Sequence, residues 1–178
     1  MTSMPENRKP QHRLDPRKPL VLDTRELGRR PGSMREMRLA VPAPGDLRVE
    51  LIGVPAGADI DLDLRLESVM DGVLVSGTAT APLNGECGRC LETVTDTVTV
   101  DLQELFAYAP DAAAEDEVSL MSGDHLDLEP VLRDAVVLAL PLTPLCDEDC
   151  AGLCVGCGER LDDLPQEHAH SDNSTQEN

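Results

Sequence analysis

The cysteines set the tightest condition on how this chain can fold. All six lie in two short stretches: Cys87 and Cys90 in ECGRCL, and Cys146, Cys150, Cys154 and Cys157 in PLCDEDCAGLCVGCGER. A C-x2-C spacing lets both thiolates of one tight turn point at a single ion, and Gly156 and Gly158 beside the last pair permit left-handed turns. Thiols that only fill a core would be scattered, so this clustering points to a metal, with Zn2+ the expected ion.

Two groupings of four thiolates satisfy a tetrahedral zinc. Cys87, Cys90, Cys154 and Cys157 would form a two-knuckle ribbon tying the first pair to the C-terminal segment, and paired knuckles are the recurrent geometry for four-cysteine zinc. Alternatively Cys146, Cys150, Cys154 and Cys157 would close a compact local site. The spacing favours the ribbon and leaves both open. His168 and His170 follow in a polar tail and are expected to be solvated.

The secondary structure predicts an α+β fold, mostly antiparallel β. Ile60, Leu62, Leu64 and Leu66 alternate with Asp61, Asp63, Arg65 and Glu67, the pattern of a half-buried strand. Asp71-Gly72 is a strong two-residue hairpin signal. Pairing Met70 with Val73 sets Leu66 opposite Gly77, Leu64 opposite Ala79 and Leu62 opposite Ala81, with one apolar and one polar face. Val94, Val98, Val100 and Leu102 then share a face of a further strand, which places Cys87 and Cys90 at the tip of a second hairpin, open to a partner.

Around this core, Leu20–Leu22, Met37–Val41 and Leu47–Ile52 read as short strands, with a helical turn or two over Asp23–Leu27. Leu126 and Leu128 read as a last strand. One helix follows, with Asp127 or a neighbour as cap and Pro130 in its first turn; Pro141 ends it. The expectation is a hairpin or meander sheet with one packed C-terminal helix and cysteine zinc knuckles. Residues 20–161 form the domain, residues 1–19 a flexible basic arm, residues 162–178 a polar tail, and Pro110–Glu117 an acidic loop.

Charge is divided along the chain. Residues 1–50 carry eleven Lys/Arg against seven Asp/Glu, whereas residues 51–178 carry four against twenty-seven. So acidic a body repels phosphate backbones and suits a basic protein. With one Phe, one Tyr and no Trp, the chain has almost nothing on which bases could stack. Arg29-Arg30 offers a possible phosphate grip. The N-terminal residues lack the apolar run of a signal peptide, and no apolar stretch is long enough to cross a bilayer. The expected setting is the cytoplasm, where thiols stay reduced.

Among enzymes, the chain has neither H-E-x-x-H nor H-x-E spacing, and no P-loop or dinucleotide fingerprint. Four thiolates on one ion leave no position for a catalytic water. A thiol–disulfide redox protein using one C-x2-C is the alternative. Such pairs usually open a helix, which lowers the thiol pKa, whereas these pairs lie between strands or among turn glycines.

The ECGRCL knuckle, the helix leading into ALPLTPLC and the ending CAGLCVGCGERL resemble the YceD family, the large ribosomal RNA subunit accumulation proteins. The similarity runs from about Leu20 to Leu161. It implies a non-catalytic role in accumulation or maturation of large-subunit ribosomal RNA. The expected partner is a basic large-subunit ribosomal protein or a pre-ribosomal particle, with no membrane and no small-molecule substrate.

Overall fold

A computed structural model describes residues 14–109 and 119–169. Most of the basic arm, the acidic Pro110–Glu117 loop, and the tail from His170 onward lie outside the described residues.

Alternating apolar residues build the centre of the main sheet. In β4 (Asp59–Ser68), Ile60, Leu62, Leu64 and Leu66 are buried while Asp61, Asp63 and Arg65 face solvent. β4 pairs on one side with β2 (Met34–Pro42) and on the other with β5 (Gly72–Glu86), both antiparallel. β5 pairs along its whole length with β6 (Thr93–Ala107). Two-residue β3 (Ile52–Gly53) pairs with β5, and two-residue β7 (Ser119–Leu120) lies parallel to β6. The order β2-β4-β5-β6-β7 is the expected meander with a short parallel edge.

The β4–β5 register differs by two from the sequence expectation. Leu66 faces Val75, Leu64 faces Gly77 and Leu62 faces Ala79. Ser68 and Val73 form the last pair, and the Val69 N–H donates to the Gly72 carbonyl at 2.9 Å. Neither Asp71 nor Gly72 has the positive φ of a type I′ turn. Gly72 is instead the first residue of β5 and pairs with Ala107. Because the displacement is even, every side chain keeps its predicted face.

Leu47–Ile52 is a second difference. Ala43 and Leu47 turn into the core, and only a bridge between Arg48 and Gly53 marks this stretch before β3. A side chain at Gly53 would collide with Arg48, so this close approach depends on glycine.

Beside the sheet, β1 (Val21–Asp23) pairs with β8 (His125–Asp127). A 3-10 turn over Arg25–Leu27 follows β1, with the Arg25 N–H held by the Asp23 carboxylate. Helix α1 (Glu129–Ala139) packs against β6 and contributes Leu132 and Val136 to the core, with Leu140 beyond its end. Asp127 accepts from the Glu129 N–H at 3.0 Å, and Pro130 occupies the first turn. Leu138 and Ala139 face outward. Leu140 is already extended, as a residue before proline favours. The chain then runs from Pro141 back toward the tip of the β5–β6 hairpin. No described helix is long and apolar enough to cross a membrane.

Candidate metal centre

The hairpin tip is built by its own backbone. Beyond the last β5–β6 pair, Glu86 with Thr93, the Cys87 N–H donates to the Glu92 carbonyl at 2.8 Å. The Leu91 N–H donates back to the Cys87 carbonyl at 3.0 Å. Closing so short a turn requires a left-handed residue, and Leu91 takes that role with φ 63°. Both sulfurs then point to one side, and the Arg89 N–H donates to Cys87 Sγ at 3.4 Å.

The segment after α1 covers this tip, which is therefore closed by the chain itself rather than open to a partner. Gly88 donates its N–H to the Pro144 carbonyl at 2.8 Å. A Cβ at Gly88 would stand 3.0 Å from the Thr143 methyl, so a side chain here would push the segment away. Asp147 accepts from the Asp149 N–H at 2.9 Å and so tightens the loop between Cys146 and Cys150. The Arg89 guanidinium reaches across to the Cys150 carbonyl at 2.9 Å.

Four sulfurs converge as a result. Cys90 Sγ lies 3.4 Å from Cys146 Sγ, and Cys87 Sγ lies 3.9 Å from Cys150 Sγ. All four lie within 4.8 Å of one another. A tetrahedral zinc with Zn–S bonds of about 2.3 Å sets its sulfurs about 3.8 Å apart, so the donor set fits that ion. All six cysteines are free thiols. Cys87, Cys90 and Cys150 are buried, and Val94, Leu145 and Leu153 pack around them.

The thiols also perturb one another. Backbone N–H groups, that of Cys90 foremost, draw the Cys87 thiol down to about 6 against the opposing effect of burial. Cys146 is pushed up to about 12, chiefly by the Cys90 thiol beside it and then by desolvation. Burial likewise raises Cys150. Backbone N–H groups thus favour the thiolate at Cys87, while hydrogen bonding and burial favour the thiols at Cys146 and Cys150, and a cation among them would be needed to ionise all four together.

Of the residues singled out in the sequence, Cys87 and Cys90 meet Cys146 and Cys150. Cys154 and Cys157 lie together elsewhere, where they meet His168. The grouping thus coincides neither with the ribbon set nor with the compact set. His168 Nε2 lies 3.6 Å from each of those sulfurs and is half-buried, not a solvated tail residue. His170 lies outside the described residues. A count of donors was the available signal, since six thiols exceed what one tetrahedral ion can take. Arg29 stacks over the Tyr108 ring at 4.7 Å and donates to the Gly123 carbonyl, so it serves the fold at that position.

Residues 75–176 match the family model described as Large ribosomal RNA subunit accumulation protein YceD. A protein of Mycobacterium bovis bearing only the name uncharacterized protein is 46% identical over 157 residues, which cover 85% of this chain and 75% of the relative. A similarly named Mycobacterium leprae protein is 45% identical over 147 residues, covering 80% of this chain and 68% of the relative. No solved structure matches. With its knuckle, its capping segment and its later cysteines all within the matched span, the chain belongs to the YceD family of large ribosomal RNA subunit accumulation proteins.

Proposed function

We propose that this protein is a non-catalytic, cytoplasmic ribosome biogenesis factor that supports accumulation of large-subunit ribosomal RNA by engaging a basic large-subunit ribosomal protein. Zinc at Cys87, Cys90, Cys146 and Cys150 is its structural ion. The working unit is residues 20–161, preceded by the basic arm 1–19 and followed by the polar tail 162–178.

The observation that carries the partner class is what becomes of the four basic residues after position 50. Arg65 pairs with Glu67 at 3.0 Å, and Arg133 pairs with Glu129 at 2.9 Å. Arg89 holds the Cys150 carbonyl, and Arg160 lies among Glu92, Asp162 and Asp163. Every one of these cations is engaged within the chain, while twenty-seven acidic residues share the same stretch. A phosphate backbone would find little to bind there, whereas a lysine- and arginine-rich protein would find a complementary field. The four-thiolate set supports a structural rather than a catalytic ion, because it saturates a tetrahedral zinc.

Affinity capture from reduced lysate tests this reading. Basic large-subunit ribosomal proteins should be recovered after nuclease treatment and lost at high salt, because screening shortens the reach of the attraction from about 8 Å at physiological strength to about 3 Å at about 1 M. Recovery that depends wholly on intact RNA, and disappears on deletion of residues 1–19, would overturn it.

A further inference from the structure

The knuckle that the first centre does not use is built like the one it does. In Cys154–Glu159 the Cys154 N–H donates to the Glu159 carbonyl at 2.7 Å, and the Gly158 N–H donates to the Cys154 carbonyl at 2.7 Å. Those two bonds repeat the Cys87–Glu92 and Leu91–Cys87 bonds of the hairpin tip at the same offsets. Gly158, with φ 76°, stands where Leu91 stands with φ 63°. A bridge between Leu153 and Arg160 flanks this turn as the β5–β6 ladder flanks the first. The backbone therefore aims Cys154 and Cys157 to one side, as it aims Cys87 and Cys90.

What meets them is nitrogen. The chain passes through a 3-10 turn over Leu161–Asp163, anchored by the Leu161 N–H to the Gly152 carbonyl at 2.9 Å. It turns again where the His168 N–H donates to the Pro165 carbonyl. His168 Nε2 thereby comes to 3.6 Å from both sulfurs. A tetrahedral zinc with bonds of about 2.3 Å to sulfur and about 2.05 Å to nitrogen requires an N···S spacing of about 3.6 Å. Both spacings match that value.

We propose that Cys154, Cys157 and His168 hold a second zinc ion, distinct from the one at Cys87, Cys90, Cys146 and Cys150. The two ions differ in exposure. In the first set Cys87, Cys90 and Cys150 are buried and Cys146 alone is exposed, whereas in the second Cys154 alone is buried, Cys157 is exposed and His168 is half-buried. An ion on the outer set is reached first by a competing chelator, so the second site is the exchangeable one. It pins the start of the polar tail to the domain, and stripping it releases that tail while the sheet and first centre remain.

Zinc content per chain, measured by native mass spectrometry on reduced full-length protein, tests the proposal. The wild-type chain should carry two ions, and His168→Ala and Cys157→Ser should each carry one with the domain's thermal transition retained. A stepwise chelator titration should remove one ion before the other, and His168→Ala should lack the early step. Cobalt loading gives an independent readout: the sulfur-to-cobalt absorption of His168→Ala should reduce to that of an all-thiolate site. A wild-type chain with one ion that His168→Ala leaves in place overturns the second site and spares the first centre. One ion lost in His168→Ala but kept in Cys90→Ser would support the second site and remove the first. A chain that takes up no zinc would overturn both.

Discussion

Cys90 and Cys146 stand 56 residues apart in the chain and 3.4 Å apart at sulfur. Cys87 and Cys150 repeat the relationship at 3.9 Å. The β5–β6 hairpin tip and the segment beyond α1 thus contribute equally to one centre, and neither completes it alone. Serine at Cys87, Cys90, Cys146 or Cys150 should therefore abolish the first zinc alike, whereas serine at Cys154 should leave it in place. Strong chelation of wild-type protein should lower the unfolding midpoint by about 10 °C or more, because binding energy at a structural zinc is folding energy. Metal analysis and calorimetry on the panel check both outcomes.

Leu91 is a non-glycine residue in the left-handed region, and the residue is 58% exposed. The conformation costs an L-residue of this kind about 1 kcal/mol, and little packing offsets it. Leu91→Gly should preserve zinc binding at the first centre and raise stability by up to about 1 kcal/mol, less the extra freedom glycine gains in the unfolded chain. Gly158→Leu should act in the opposite direction and lower zinc affinity at the outer site. Denaturant melts and zinc competition with a chromophoric chelator would show both effects; equal responses at the two positions would contradict the equivalence of the knuckles.

Leu64 is buried on the inner face of β4, and Thr78 lies on the outer face between Asp63 and Asp101. Leu64→Asp should cost about 4 kcal/mol or more, enough to unfold most of the protein, since it buries an unpaired carboxylate. Thr78→Lys should be neutral or slightly stabilising, because it sets a cation between two acidic neighbours. Urea melts of the two variants provide the comparison.

The strands were legible because period-two alternation is a property of each residue's face. Leu62, Leu64 and Leu66 declare a buried side wherever the strand finds its partner. The β4–β5 register was less legible, since Asp71-Gly72 resembles a tight-turn dipeptide while Gly72 is claimed by its pairing with Ala107. The cysteine partners were hidden for a further reason. A C-x2-C pair states that two sulfurs point one way and says nothing about what arrives to meet them. That is decided by the path of α1 and Pro141–Leu145, a tertiary property. The C-x3-C spacing of Cys146 and Cys150 departs from a knuckle, and their loop is shaped by Asp147 rather than by glycine. His168 sits in a polar tail without periodicity, so only the surplus of thiol donors hinted that it would meet Cys154 and Cys157.

The capping of the β5–β6 hairpin by the segment after α1 also has a bearing on timing. During synthesis the strands that present Cys87 and Cys90 leave the ribosome well before Cys146 and Cys150. Until the later pair emerges, two thiols wait at an uncovered tip. The centre can close only after the sheet, α1 and the returning segment are all in place, so its completion reports that synthesis has passed Cys150. A nascent chain broken off before Cys146 would carry a correctly patterned sheet with an unfinished end, and its exposed thiols would distinguish it from the finished protein.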